Sequence, residues 1–144
     1  MAIFVTEQER QRLLAADQTS RQAALYAALR ARALAHCRAA GFVQPGDTQE
    51  WFHLCWVRAS DAAFTYFMEH DEALGRWIHD TALWLAERPA EEWIGPWYRI
   101  RTSPLCGALE TAHLSLAMCE FLDLAGDLFT PAGTEQLREA LREK

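Results

Sequence analysis

The sequence has few of the residues that interrupt regular structure, with seven glycines and five prolines among 144 residues. Together with a hydrophobic fraction of 51%, this low content excludes a collagen-like or low-complexity chain. A chain of this length has the usual size of one domain and buries most of the surface that its unfolded state exposes. We therefore expect a single domain over residues 1–144.

Long apolar runs are also missing. The N-terminal run from Met1 to Val5 is followed at once by polar and charged residues, so it is too short for a secretory signal peptide. No stretch approaches the roughly 18 apolar residues that indicate a membrane span. We expect no membrane partner, no signal peptide in this chain and a cytoplasmic location.

Basic residues are in the minority, with 14 Lys and Arg against 20 Asp and Glu and a net charge of −6. Such a field repels phosphate backbones, so nucleic acid is not an expected partner. An acidic polysaccharide is also repelled at long range. Binding of one would therefore need a local group of arginines.

The four cysteines are far apart in sequence, at Cys37, Cys55, Cys106 and Cys119. Structural zinc sites need close cysteine or histidine pairs, and this spacing provides none. We expect reduced, mostly buried thiols that act as small hydrophobic side chains. A disulfide or a reactive thiol is the alternative.

Capping signals and helical spacing predict an all-α fold. Thr6 and Glu9 have the spacing of a capping box and start a helix that runs to about Ala16. Further helices are predicted over 21–40, 47–70, 71–88 and 105–125 and from 130 to the end, with one turn at 90–93 and an ordered loop at 94–104.

Two of these helices carry patterns that predict their packing. In the second, Leu25, Leu29, Ala33 and His36 recur at helical spacing and predict one inward stripe. The third is aromatic and apolar around more than one stripe. It is therefore expected to contact neighbours on two sides, inside the fold.

Two Glu-x-x-His pairs occur, Glu50 with His53 and Glu110 with His113, and each places both side chains on one helical face. Di-iron helical bundles use this pair twice. Both pairs lie near helix starts, which favours capping and core roles. No metal or other cofactor is expected, and a metal-dependent bundle stays as an alternative.

Other catalytic patterns are missing from the sequence. It has no Gly-x-Ser-x-Gly elbow, no glycine-rich phosphate loop and no Ser, His and Asp order typical of a triad. His79 and Asp80 are adjacent, but neighbours on a helix are expected to point apart. The chain therefore holds no complete catalytic site that we can identify, and its catalytic residues stay unknown.

The loop between the predicted one-turn helix and the helix at 105–125 is the exception. It combines flat aromatic side chains with planar donors that stack on sugars and bind carboxylates: Trp93, Trp97, Tyr98, Arg99 and Arg101. The alternative is that the tryptophans pack on the core and the arginines pair with nearby glutamates, such as Glu91, Glu92 or Glu110.

Several segments of the C-terminal half are similar to one enzyme family. They are Trp-Ile-Gly-Pro-Trp at 93–97, Gly-Ala-Leu-Glu-Thr-Ala-His-Leu at 107–114, Leu-Asp-Leu-Ala-Gly-Asp-Leu-Phe at 122–129 and Leu-Arg-Glu-Ala-Leu-Arg-Glu-Lys at 137–144. In combination they resemble the N-terminal part of heparinase II/III-like polysaccharide lyases. The resemblance covers roughly Leu74 to Lys144.

The resemblance implies antiparallel helical hairpins that form part of an incomplete α/α toroid. It also implies β-elimination on a uronic-acid-containing polysaccharide, with an acidic poly- or oligosaccharide as ligand and further lyase domains as partners. The family's catalytic Asn or His and its Tyr/His pair come from later regions, so none maps to a residue here. The implied role is scaffold and substrate-cleft wall, inactive alone, with Glu110, His113 and the loop residues lining that wall.

A different class of function fits the same composition. A helical interaction module without enzymatic activity would use exposed aromatic surface to bind a protein partner or a second copy of itself, giving a homodimer.

Overall fold

The computed structural model of the chain describes residues 4–17, 19–38, 49–101, 104 and 107–144. Within these ranges every regular element is helical, so the predicted all-α class is confirmed. The α-helices are α1 (Glu7–Leu14), α2 (Arg21–Arg38), α3 (Gln49–Glu69), α4 (Glu72–Glu87), α5 (Pro96–Arg99), α6 (Leu109–Leu124) and α7 (Pro131–Glu143). Two 3₁₀ turns cover Ala90–Trp93 and Gly126–Leu128.

Local capping sets the starts of three helices. Thr6 and Glu9 form the predicted capping box, in which Thr6 Oγ1 accepts from Glu9 N at 3.2 Å and Glu9 Oε2 accepts from Thr6 N at 2.8 Å. The Asp71 carboxylate caps α4. At α7 the Thr130 hydroxyl accepts a backbone hydrogen bond and Pro131 takes the first helical position, as predicted.

The segment between α4 and α6 differs from the prediction. The expected loop contains the short helix α5, which begins at Pro96, where a proline needs no helical hydrogen bond. Helix α6 begins at Leu109 and not near 105, because Ala108 is extended and its N–H donates to Thr111 Oγ1 at 3.3 Å. Residues 105 and 106, and the predicted helix ends at 39–40 and 47–48, lie outside the described residues.

The predicted inward stripe of α2 is wrong at Leu25, which is 61% exposed. The side that faces α3 carries Tyr26, whose ring meets Phe64 edge-on at 6.1 Å between centroids, and the buried Ala33. Arg32 makes two hydrogen bonds to the buried Asp61 carboxylate on α3, at 2.5 and 2.7 Å. The other positions of the predicted stripe do face inward, since Ala33 is buried and Leu29 and His36 are half-buried.

Helix α3 is the centre of the fold, as its two-sided pattern predicted, and it packs against α2, α4 and α6. Its buried residues are Phe52, Cys55, Ala59, Asp61, Ala62, Ala63, Thr65, Tyr66 and Met68. Many of them are small, which allows the neighbouring helices to approach closely.

Helices α3 and α6 run parallel, because contacts between them and their ends join residues about 60 positions apart throughout. Ser60 Oγ donates to Glu120 Oε2, and Tyr66 Oη donates to Asp127 Oδ2 at 2.8 Å. Helices α4 and α7 are also parallel. His79 in the middle of α4 stacks on Phe129 before α7, and Lys144 Nζ after α7 donates to Ala86 O at the end of α4.

Helices α3 and α4 are antiparallel and joined by only His70 and Asp71. His70 has a φ of 52°, the left-handed conformation that commonly ends a helix, and its N–H donates to Tyr66 O at 2.7 Å. The tight connection places the Tyr66 ring against Gly75, where a Cβ would lie 3.0 Å from Tyr66 Cε2. At the other end Trp51 meets Trp84 at 6.4 Å between ring centroids.

Three cysteines within the described ranges are free thiols, and Cys55 is fully buried between helices. Burial raises the pKa of the Cys55 thiol, so this sulfur stays protonated and unreactive. Cys37 and Cys119 are only half-buried. Cys106 lies outside the described residues.

None of the helices described here combines the length and the apolar character that crossing a bilayer requires.

Candidate functional site

The segment from Trp93 to Arg101, hereafter the tryptophan loop, is anchored by its first residue. Trp93 is fully buried, and its indole Nε1 donates to Leu85 O at 3.2 Å. Its own carbonyl accepts from Thr111 Oγ1 at 2.9 Å, and Lys144 Nζ lies 5.3 Å from the ring centroid. Trp93 is therefore a core residue in this structure, and its ring offers no free face for a ligand.

Gly95 brings the tryptophan loop into direct contact with α6. A Cβ at this position would lie 2.6 Å from Glu110 Cδ and 2.7 Å from Glu110 Oε1, closer than real atoms approach. Glu110 itself is only 2% exposed, and its Oε2 has no hydrogen-bond partner among the residues that the structure describes. The loop and the first turn of α6 are thus one packed unit in which glycine is needed for its small size.

The exposed residues of the tryptophan loop are Trp97, Ile100 and Arg101. The Trp97 side chain is 55% exposed, and Arg101 Cζ lies 3.9 Å from its ring centroid. Tyr98 meets Trp97 edge-on at 4.7 Å between ring centroids. A cation over an exposed indole is a modest contact of about 0.5–1 kcal/mol, and it places a planar donor on one face of the ring.

Arg99 has a different environment from Arg101. It is half-buried, and its Nε donates to Ile94 O at 2.6 Å, within the same loop. The two arginines, which the sequence placed in one group, therefore have different roles. Arg99 braces the loop backbone, and Arg101 projects toward solvent.

A second group of polar and aromatic side chains follows the parallel contact of α3 and α6. We call it the polar strip, and its members are His53, Trp56 and Ser60 on α3 and His113 and Glu120 on α6. The His113 ring stacks on Trp56, with 5.4 Å between centroids and planes 7° apart, and meets His53 at 5.4 Å. Its Nδ1 is buried and has no hydrogen-bond partner within the described part of the chain.

Burial is the main cause that lowers the pKa of His113 below its ordinary value. The neighbouring His53 lowers this pKa further, and the Glu110 charge one turn earlier acts in the opposite direction. A lowered pKa keeps this imidazole neutral near pH 7. It is therefore able to exchange hydrogen bonds with a hydroxyl group, or to accept a proton.

Glu120 closes the other end of the polar strip. Its carboxylate accepts from the Ser60 hydroxyl and, at 3.4 Å, from Trp56 Nε1. Burial raises its pKa, and these two hydrogen bonds act against that rise. A carboxylate in this state is a hydrogen-bond acceptor whose charge depends on what lies next to it.

The sequence indicated His53 and His113 only as members of the two Glu-x-x-His pairs, and it did not single out Trp56, Ser60 or Glu120. A signal for the strip was present, since positions 53, 56 and 60, and again 113 and 120, repeat at helical spacing. What the sequence could not supply is the parallel pairing of α3 with α6, which brings the two rows together.

The structure also bears on two further sequence hypotheses. The two Glu-x-x-His helices do meet at their histidines, but within the described ranges no three His, Cys, Asp or Glu side chains are placed to hold a metal ion. The expectation that His79 and Asp80 point apart is wrong, because His79 Nδ1 lies 3.0 Å from Asp80 Oδ1. This pair is largely exposed and lies on α4, away from the polar strip.

Comparison with known proteins provides no relative, since no family model, curated protein or solved structure matches this chain.

Proposed function

We propose that this chain is the N-terminal helical domain of a heparinase II/III-like polysaccharide lyase, an enzyme that cleaves uronic-acid-containing polysaccharide by β-elimination. In this proposal the domain supplies scaffold and one wall of the substrate cleft, and it is inactive alone. The reaction comes from the resemblance over residues 74–144. The surface that would contact the sugar comes from the geometry of the tryptophan loop.

The observation that carries the proposal is the exposed Trp97 ring with Arg101 3.9 Å from its centroid. A pyranose ring offers C–H groups that pack on an indole face, and its uronate carboxylate needs a planar donor beside that face. Because Arg101 lies over one face of the Trp97 ring, a sugar would pack on the part of the ring that stays exposed, with the guanidinium within reach of its carboxylate. This local cation would act against a net charge of −6 that otherwise repels the ligand.

Two further features support the proposal. Helices α3 and α6, and α4 and α7, pair in parallel as consecutive units of a stack of helical hairpins would, which is the architecture expected of an α/α toroid. Glu110 packs against the tryptophan loop at Gly95 and, being only 2% exposed, supports the wall from beneath without facing the sugar. His113 lies one turn further along α6. Trp93 is left out of the proposed wall because it is buried.

The test uses the full chain with a panel of uronic-acid oligosaccharides and neutral oligosaccharides of the same length. Tryptophan fluorescence reports binding, and the absorbance of an unsaturated product reports cleavage. We expect saturable quenching by the acidic sugars only, without product. Arg101→Ala should weaken binding about tenfold to a hundredfold, since a hydrogen bond to a charged group contributes roughly 1.5–3 kcal/mol.

Two controls separate this result from unspecific effects. Arg138→Ala removes an equally cationic, exposed side chain on α7 and should leave the affinity unchanged. Equal losses in both variants would mean that only net charge matters. Product formation would contradict the inactivity of this domain, and the lack of any response would remove the sugar-binding surface.

A second function is favoured by the apolar side chains around the tryptophan loop. Ile100 is 80% exposed, and Leu109 and Leu116 lie two turns apart on one exposed face of α6. Exposed apolar patches mark protein interaction sites, so this face supports a helical interaction module that binds a partner or a second copy. Sedimentation velocity over a concentration series tests self-association.

If the chain is an interaction module that dimerises, the mass of the sedimenting species should rise from that of a monomer to that of a dimer as concentration increases. Ile100→Asp should abolish the dimer. Thr134→Asp, a half-buried polar position on α7, is the control for added charge. A monomer at every concentration would remove the homodimer.

A further inference from the structure

A cavity of about 370 Å³ lies between α1, α2 and the C-terminal part of α3. It is lined by Leu13, Leu14, Gln22, Ala23, Tyr26, Ala27, Arg30, Phe64, Met68 and Glu69. None of these residues belongs to the tryptophan loop or the polar strip. The volume is within the range of roughly 300–1,000 Å³ that small-molecule sites occupy.

The walls of this cavity are mostly apolar. Leu13 and Leu14 form the α1 side, and both are among the exposed large hydrophobic side chains of the protein. Helix α1 has no buried residue of its own, so a molecule in the cavity would cover apolar surface that the fold leaves open. Two alanines of α2, Ala23 and Ala27, keep the space between the helices clear.

The charged groups of the lining neutralise each other. Arg30 Nε donates to both Glu69 oxygens, at 2.8 and 2.7 Å, and Tyr26 Oη donates to Glu69 Oε1 at 2.7 Å. Among the described residues that line the cavity, Arg30 and Glu69 carry the only formal charges. An anionic ligand would have to compete with Glu69 for Arg30, and a cationic one with Arg30 for Glu69. The lining therefore selects against charge.

We propose that this cavity is a binding site for a small uncharged alcohol or phenol with one or two rings. The ring system packs against Phe64 and the leucines of α1. The hydroxyl group exchanges hydrogen bonds with the Tyr26–Glu69 end or with the Gln22 amide. This site does not depend on the proposed lyase function.

The probes are 2-naphthol and 2-naphthoate, which share the ring system and differ at neutral pH in charge. Calorimetric titration of the full chain should give saturable one-to-one binding of 2-naphthol and at least tenfold weaker binding of 2-naphthoate. Ala27→Phe fills the cavity and should abolish binding. Ala28→Phe places the same side chain at the next, exposed position outside the lining and should preserve it.

Glu69→Gln tests the charge argument independently of cavity filling. Removing the carboxylate leaves Arg30 without its counter-charge, so the ratio of the two affinities should shift at least tenfold toward 2-naphthoate. Circular dichroism tests whether each variant is folded. If Ala27→Phe does not fold, the change in the affinity ratio in Glu69→Gln still decides the question. The proposal is overturned if 2-naphthol does not saturate, if folded Ala27→Phe still binds it, or if Glu69→Gln leaves the ratio unchanged.

Discussion

Replacing Gly95 with alanine is expected to destabilise the protein by about 1–3 kcal/mol, the usual cost of overpacking a filled site. The backbone is not the reason, since φ and ψ of −59° and 147° suit any residue. The reason is the Glu110 side chain, whose Cδ, Oε1 and Cγ would lie 2.6, 2.7 and 2.8 Å from the new methyl group. Because Glu110 is buried, it has little room to move away.

The free energy of unfolding is measured by urea denaturation followed by circular dichroism. Gly126→Ala is the matched control, because a Cβ there meets no atom within 4 Å. Without a clash, Gly→Ala stabilises a protein by about 0.4–1 kcal/mol through the unfolded state. The two alanine variants should therefore change stability in opposite directions.

A double-mutant cycle with Glu110→Ala identifies the clashing partner. Once the Glu110 side chain is shortened, Gly95→Ala should cost less than about 0.5 kcal/mol, since the two residues no longer collide. The reasoning is refuted if Gly95→Ala is as stable as the parent protein. It is also refuted if its cost is the same in the Glu110→Ala background.

Three further predictions concern ionisable groups between helices. Burial lowers the pKa of His113 in the folded state, so the stability it contributes is present above its unfolded pKa and is lost as pH falls through the folded value. His113→Phe keeps an aromatic ring against Trp56 but cannot be protonated. In urea titrations at several pH values, the free energy of unfolding of this variant should therefore fall less at acid pH than that of the parent protein. Burial raises the pKa of Glu120, so the stability that the protonated group contributes is lost as pH rises through the folded value. In Glu120→Gln the free energy of unfolding should no longer decline over this pH range. The same decline in the variant and the parent protein would show that Glu120 is not its cause. Arg32→Ala leaves the buried Asp61 carboxylate without its two hydrogen bonds and should cost about 1–2 kcal/mol, less than for a fully buried pair because Arg32 is half exposed. Arg38→Ala on the same helix, where the arginine makes no ion pair with another described residue, should cost under about 0.5 kcal/mol.

The starts of the helices were predictable from sequence because capping is a local interaction. Each cap side chain accepts a hydrogen bond from a backbone N–H no more than three residues away, as at Thr6, Asp71 and Thr130. Both partners of the interaction can therefore be read from a short stretch of sequence. The extended backbone at Ala108 could not be predicted in this way. It depends on Thr111, whose hydroxyl is committed to Trp93 O, eighteen positions away in sequence.

The composition of the tryptophan loop indicates a candidate surface, but it does not show which of its side chains are exposed. Trp93 and Trp97 are the same residue type four positions apart, yet one is buried and the other is exposed. Arg99 and Arg101 separate in the same manner, one bonded to Ile94 O and the other lying over Trp97. Which aromatic ring faces the core depends on what packs against the loop, and that information lies in α4 and α6.

By itself the sequence determined that the chain is helical, where most helices begin, and which loop combines aromatic rings with arginines. These properties follow from hydrophobic spacing and local hydrogen bonds, which act over a few residues. Only the tertiary structure decided that His53 and Trp56 meet His113, and that Tyr26 and Arg30 share Glu69 beside a cavity. Those contacts join residues about 40 to 60 positions apart in sequence. They form only when packing has fixed the direction of each helix and its rotation about its own axis.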